Sequence, residues 1–304
     1  MLKNRFLPNL SEKHTNWLYA YLFLAPLLVG VVIFHLIPIA QSFFYSFTRW
    51  NGFSPPTLIG FENFRRLTED PVFLNEFFNT IHFVFVSVPV ALIFSLVIAN
   101  LLNTKIRGRT IFRVIYFLPN VTMPAVVATM FTLMFHSQYG VVNDILYFIF
   151  NIRPMWLTNP ALIMNVVITV QVWSTVGFNV VIILAALQTV PRHYYEAFEL
   201  DGGGSIKKFF YITLPLISPS IFFLSVISII RAFNAFDFVF MFSINAGGGP
   251  VRNALRTMVF GIYESGFVQH QFGYASAKAV VMFFIIMAIT LVQFVAQKRL
   301  VHYK

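Results

Sequence analysis

Residues 191–215 read Pro-Arg-His-Tyr-Tyr-Glu-Ala-Phe-Glu-Leu-Asp-Gly-Gly-Gly-Ser-Ile-Lys-Lys-Phe-Phe-Tyr-Ile-Thr-Leu-Pro and stand between two long apolar stretches, Ala161 to Leu187 and Leu216 to Phe242. Local chemistry predicts two short helices joined by glycine. Pro191 can open the first, Gly202 can take the left-handed conformation that ends it, and Ser205 can cap the second. Pro215 then closes the loop ahead of the next apolar stretch. Such an L-shaped element, apolar on Ala197, Phe198 and Leu200, is suited to a partner's groove. The glycines followed by Lys207 do not make a phosphate loop, which needs Gly, four residues, Gly, then Lys and Ser or Thr.

The surroundings of this loop are those of a membrane protein. Of 304 residues, 58% are hydrophobic, 18% aromatic and only 11% charged. A soluble domain is about half apolar and about a quarter charged, so the excess must be covered by lipid. A spanning helix needs about 20 apolar residues. Six segments qualify: Leu18 to Phe47, Phe77 to Leu102, Ile111 to Phe135, Ala161 to Leu187, Leu216 to Phe242 and Phe272 to Gln297. The first is long and holds Pro26 and Pro38, which predicts a tilt or a kink, and no signal-peptide cleavage pattern follows it. Residues 1–16 read as a tail and 17–304 as the transmembrane unit, with a loop at 188–215. No soluble segment is large enough for a catalytic core. Cysteine is absent, and histidines 14, 35, 82, 136, 193, 270 and 302 lack metal-ligand spacing, so no cofactor or metal site is expected.

The net charge of +10 follows from basic residues at span ends rather than from a nucleic-acid-binding stripe. Six spans put both termini on one side, with Lys3, Arg5, Lys13, Lys105, Arg107, Arg109, Arg113, Arg192, Lys207, Lys208, Lys298, Arg299 and Lys304. Arg49, Arg65, Arg66, Arg153, Arg252 and Arg256 lie opposite. The positive-inside bias makes the termini cytoplasmic. On the outer side, Leu255, Met258, Val259 and Ile262 recur at helical spacing. They form either an amphipathic helix at the membrane surface or a packing cap.

Ionisable and amide groups inside spans are the candidate site. A buried charge costs about 2.5–3.5 kcal/mol on insertion scales, so it faces a cavity or a partner. Asp237 lies three residues after Asn234, a spacing that shares one helical face. Gln171, Thr175 and Phe178 form a matching stripe on the fourth span, with Trp173 and Asn179 nearby. Amides, carboxylates and rings suit sugar hydroxyls and apolar sugar faces, although the same groups can instead bond helix to helix. Lys278, among Ala275, Ser276, Ala277 and Ala279, either snorkels outward or faces a subunit interface.

Glu196-Ala197, Asp201-Gly202, Ile212, Leu214-Pro215 and Pro219 resemble the EAA loop of the membrane subunits of bacterial ATP-binding-cassette (ABC) importers. The chain departs from that pattern at Phe198, where the family prefers alanine, and at Gly203, where alanine is frequent. Gly248-Gly249-Pro250, Ile262-Tyr263, Gly266-Phe267 and Gly273-Tyr274-Ala275-Ser276-Ala277 resemble the first permease subunit of maltose-type and glycerol-phosphate-type sugar importers. The resemblance implies an all-α polytopic permease of the type I importer fold in the bacterial cytoplasmic membrane, working by alternating access. Glu196, Ala197, Asp201, Gly202, Leu214 and Pro215 would form the ATPase-coupling element. Gln171, Thr175, Phe178, Asn234 and Asp237 fall on positions that line the family's sugar site. Implied partners are a second homologous permease, two copies of an ABC ATPase that binds the ATP, an extracytoplasmic sugar-binding protein and lipid. The cargo expected is a sugar, an oligosaccharide, with glycerol phosphate or a polyol as alternatives. An ion-gradient transporter using Asp237 as a proton site is the rival, and it gives no account of residues 196–215.

Overall fold

A bilayer offers no water to backbone N–H and C=O groups, so apolar stretches of this length must close their hydrogen bonds internally as helices. The computed structural model describes residues 12–104, 108–246 and 248–300. Most of the expected tail, with Lys3, Arg5, Lys105, Arg107 and Lys304, lies outside them. Among the described residues five helical runs are long and apolar enough to cross a membrane, and six when the bent helix pair Ile111–Val121 with Pro124–Met134 is counted as one span, as it is below.

The first crossing is α1 (Glu12–Val31) and α2 (Ile37–Ser46), joined by a π-helical turn over Val32–Leu36. Pro38 cannot donate to the preceding turn, and the chain adjusts by bonding the Ile37 N–H to the Val32 carbonyl, five residues back. The expected irregularity is therefore a π-turn. The most apolar window of this crossing is not buried in the chain, and α2 touches the bundle through Phe43, edge-on to Phe283 and Phe284. A short antiparallel hairpin follows, β1 (Thr48–Arg49) with β2 (Thr57–Leu58), Thr48 opposite Leu58. The buried Asn63 of α3 (Glu62–Glu69) donates to the Ser46 and Thr48 carbonyls, both at 2.9 Å, and fixes hairpin to helix.

The second crossing is α4 (Pro71–Leu102), capped by the Asp70 carboxylate accepting the Val72 N–H at 2.9 Å. The third departs from the straight span expected over 111–135. α5 (Arg109–Val121) and α6 (Pro124–Met134) meet at 100°. Thr122 and Met123 between them are extended, as the ring of Pro124 requires of its predecessor. α7 (Val141–Phe150) leads to α8 (Pro160–Thr189), the central helix, which packs on α4 along much of its length. Gly177 lies against the Tyr116 carbonyl where no Cβ could fit, so α5 crosses α8 at backbone contact.

Next come α9 (Arg192–Leu200) and α10 (Ser205–Lys208), then α11 (Leu214–Phe233) and α12 (Asp237–Asn245) as the fifth crossing. α13 (Gly249–Leu255), α14 (Met258–Tyr263) and α15 (Phe272–Leu300), the last crossing, complete the chain. Leu255, Met258 and Phe260 are fully buried. The stretch from Asn253 to Phe267 is thus a packing cap over the hairpin end of the bundle, not a helix lying free on a surface. One core cluster gathers α4, α6, α8, α12 and the cap at that end. A second joins α4, α8 and α11 toward residues 191–215 through Ala99, Leu102, Ile183, Leu184, Leu187 and Ile217.

Candidate functional site

The polar residues of the spans converge where two crossings lose their helical backbone. The elbow between α5 and α6 and the break between α11 and α12 at 234–236 line one cavity of about 440 Å³, with Asn120, Thr122, Gln171, Ser174, Arg231, Asn234 and Asp237 in its wall. Irregular backbone at membrane depth is tolerated where it lines a wet cavity or is buried in protein. The interruption also corrects the argument that joined Asn234 to Asp237. Asn234 is the cap that ends α11, and Asp237 opens α12, so no common helical face relates them. The cavity brings them together instead.

On α8 the stripe divides. Gln171 lines the large cavity and also a constricted space of about 20 Å³ that it shares with Thr175, Phe178, Asn179, Ser228 and Arg231. Trp173 turns the other way, into an apolar groove with Phe94, Ile115 and Leu118, edge-on to Phe131 at 5.3 Å. Helix-to-helix bonding does not use these groups. Thr175 donates to the Gln171 carbonyl at 2.8 Å and Asn234 to the Ile230 carbonyl at 2.8 Å, each within its own helix. Neither amide nor carboxylate atoms of Gln171 and Asp237 bond another helix among the described residues. They are left for whatever enters the cavity.

The element over 191–215 is the predicted pair of short helices joined by glycine, with two changes. α9 ends in a Schellman motif: Gly202 has φ +76°, its N–H bonds the Glu199 carbonyl at 3.1 Å, and the Gly203 N–H bonds the Phe198 carbonyl at 3.0 Å. A 2.6 Å ion pair between Lys208 and Glu199 ties the two arms. The second arm begins after Gly204, with Ser205 already helical and not a side-chain cap. Pro215 does not close the loop either. The helix runs through it by way of a π-turn at Phe209–Thr213, where the Leu214 N–H bonds the Phe209 carbonyl. Leu200 and Ile206 are 90% and 77% exposed, and Glu196 and Ala197 are also exposed. Phe198 belongs elsewhere: its ring covers Gly203, so closely that a Cβ there would collide with it. The two departures from the importer pattern therefore fit each other.

What the sequence did not reveal is a polar cluster at the hairpin end. Lys278 is 2% exposed and bonds both oxygens of Glu76, 1% exposed, at 2.9 and 3.1 Å, so it neither snorkels nor faces an interface. The Glu76 carboxylate sits against Gly261 of α14, where a side chain would displace it. Glu264 pairs with Arg252 at 3.0 Å and with Arg256. Tyr274 donates to Asp70 at 2.6 Å beneath the Arg66 guanidinium. Burial raises the Asp70 carboxyl, but bonds from Tyr274 and Val72 and the charge of Lys278 outweigh it and leave it below its ordinary 3.8. The missed signal was Glu76 itself, one residue before the span expected to start at Phe77.

Residues 71–302 match the model of the family described as binding-protein-dependent transport system inner membrane component. A probable ABC transporter permease protein, YesP of Bacillus subtilis, is 35% identical, with 94% of this chain and 93% of that protein covered. The sn-glycerol-3-phosphate transport system permease protein UgpA of Salmonella choleraesuis is 34% identical over 92% and 94% of the two chains. In structure, a chain of a bacterial ABC transporter involved in the import of the acidic polysaccharide alginate superposes with a TM-score of 0.80, at 23% identity, over 95% of this chain and 98% of that one. The fold is that of an ABC importer permease.

Proposed function

Because the chain belongs to the family of binding-protein-dependent transport system inner membrane components, a group of multi-pass transport subunits and not enzymes, we propose that it forms one half of a heterodimeric pathway that carries a sugar, of oligosaccharide size, into a bacterial cell. The observation that carries this reading is the meeting of two broken helices around one polar cavity. Gln171 and Asn234 offer amides to hydroxyls, Asp237 accepts from them, and Thr175 and Phe178 shape the narrow end. Membership in this family sets the ion-gradient alternative aside.

In this reading the termini and the loop at 188–215 are cytoplasmic, in keeping with the bias of lysine and arginine. The exposed face of α9, with Glu196, Ala197 and Leu200, enters a groove of an ABC ATPase, of which two copies bind the ATP. Asp201 and Gly202 set the turn that directs α10 and the helix through Leu214 and Pro215, so a push on α9 reaches α11 and the cavity break at 234–236. ATP shifts the pair of permeases between inward and outward states because the closed ATPases fit only one of them. A binding protein delivers the cargo on the far side. A glycerol phosphate cargo is the second reading, favoured by relatives named for sn-glycerol-3-phosphate transport.

Purifying the tagged chain from its native membrane tests the assembly. Recovery of a second permease and a P-loop ATPase is expected, and recovery of a homodimer alone overturns the proposal. Glu196→Lys should then abolish ATP-driven uptake in a complex that still inserts, and normal uptake would remove the coupling role.

A further inference from the structure

A second charged group stands in the cavity wall beside Asp237. Arg231 lies on the surface of α11, one turn before Asn234, and lines both the large cavity and the constricted space beyond it. Seven cations among the described residues pair with carboxylates: Lys278 with Glu76, Arg252 and Arg256 with Glu264, Arg153 with Asp144, Lys208 with Glu199, Arg49 with Glu62 and Arg65 with Glu69. Arg231 has no carboxylate partner and no hydrogen bond among the described residues, although Asp237 lines the same cavity. Its one contact of note is the ring of Phe178, 4.4 Å from the guanidinium carbon.

A cation–ring contact engages the charge of the guanidinium and consumes none of its five N–H donors by hydrogen bonding. Arg231 therefore lines the cavity with its donors unspent among the described residues. A bidentate N–H fork matches a carboxylate or a phosphate far better than it matches a sugar hydroxyl. Keeping an uncompensated arginine inside a membrane span is costly, and the cost is justified when a ligand supplies the counter-charge. Asp237 alone would repel an anion, whereas a cation and a carboxylate held apart in one cavity can divide a ligand between them: the anionic group to Arg231, hydroxyl donors to Asp237.

We propose that Arg231 is a specificity-determining residue and that the cargo carries an anionic group, a carboxylate or a phosphate, which the Arg231 fork receives at the floor of the cavity. This rests on the cavity being the substrate site. The test uses the purified complex of both permeases, ATPase and binding protein, with its thermal midpoint followed during titration with galacturonate, sn-glycerol 3-phosphate or galactose, sodium chloride matching the ionic strength. At least one anionic probe should raise the midpoint, and which one does so separates carboxylate from phosphate; galactose should do little. Arg231→Gln should weaken the effective probe by about tenfold or more, a difference of about 1.4 kcal/mol. Arg231→Lys, which keeps the charge but not the fork, should fall between.

Failure of both anions to act on the wild-type complex, or equal action by galactose, overturns the proposal. So does an anion response that survives in Arg231→Gln while Asn234→Ala loses it, and in that case the cavity reading stands. A response untouched by Gln171→Ala, Asn234→Ala and Arg231→Gln alike removes the cavity reading together with the proposal. If Arg231→Gln prevents assembly and Arg231→Lys restores it with no change in any probe response, Arg231 is paired with the second permease and the proposal is wrong.

Discussion

The two ends of this bundle solve the same problem, how to hold charged groups in place, by opposite means. At the hairpin end, Glu76 and Lys278 are 202 residues apart in sequence and almost fully buried, and Asp70 and Tyr274 are 204 apart. At the other end, Glu199 and Lys208 are nine apart, Glu199 exposed and Lys208 half-buried, and the Schellman bonds of α9 span five residues or fewer. One end is fixed by distant parts of the chain meeting in a low dielectric. The other is shaped by its own turn and left accessible. A region that must stay rigid while a partner pulls elsewhere is suited to the first arrangement, and a region that a partner must grip is suited to the second.

The largest effect expected follows from the buried pair. Removing one member leaves the other charged and unpaired, which costs about 3–5 kcal/mol, whereas replacing both by apolar groups of similar size is often neutral. Glu76→Ala or Lys278→Ala should therefore lower the thermal midpoint of the complex sharply, and Glu76→Met with Lys278→Met should recover most of it. A double variant as unstable as either single one would show that the charges serve more than mutual compensation. Gly261→Ala should imitate the single variants, because its methyl would occupy the space of the Glu76 carboxylate.

At the exposed end the corresponding test is steric. Gly203→Ala places a methyl into the ring of Phe198, and overpacking of this kind costs about 1–3 kcal/mol. The elbow between α9 and α10 is expected to shift and uptake to fall, with little change in the thermal midpoint of the bundle. Phe198→Ala in the same chain should restore uptake, since it brings both positions to the pattern the importer loop prefers. Failure of that rescue would separate the two departures and weaken the claim that local fit alone shapes this end.

The same contrast explains what was legible in the sequence. Apolar runs and the glycine turn at Gly202 are local, and they gave the approximate positions of the apolar helices and the two short helices joined by glycine, though not the roles of Ser205 and Pro215. Breaks were harder. Pro124 marked the elbow between α5 and α6, but its neighbours are apolar enough to read as one span, and nothing local announced the interruption at 234–236. The polar stripe on α8 was visible, yet the assignment of Trp173 to the apolar side depended on where α5 crosses at Gly177. Lys278 was visible and its partner was not, because a pairing 202 residues distant leaves no periodicity behind.

A more modest effect belongs to Asp70, whose carboxyl is held below 3.8 largely against its own burial. A lowered value contributes stability that is present above the ordinary carboxyl pKa and lost as pH falls through the folded one. Tyr274→Phe removes the 2.6 Å bond from the hydroxyl, so the difference in thermal midpoint between wild type and variant should be full above pH 3.8 and close below it. A gap that does not narrow would assign the role of Tyr274 to packing beneath Arg66 instead.

The smallest effect tests the other side of the contrast. The Lys208–Glu199 pair is short, at 2.6 Å, but Glu199 is 57% exposed, and pairs of this kind contribute about 0–1 kcal/mol and weaken with salt. Lys208→Ala should leave the thermal midpoint within about a degree and reduce uptake only slightly, since the Schellman bonds at Gly202 and Gly203 already set the angle between the arms. The sensitive variant is Gly202→Ala, where φ of +76° would strain any side chain. If Lys208→Ala instead abolished uptake while Gly202→Ala did not, the two arms would be held by charge and not by the turn, and the ends of the bundle would be more alike than their burial implies.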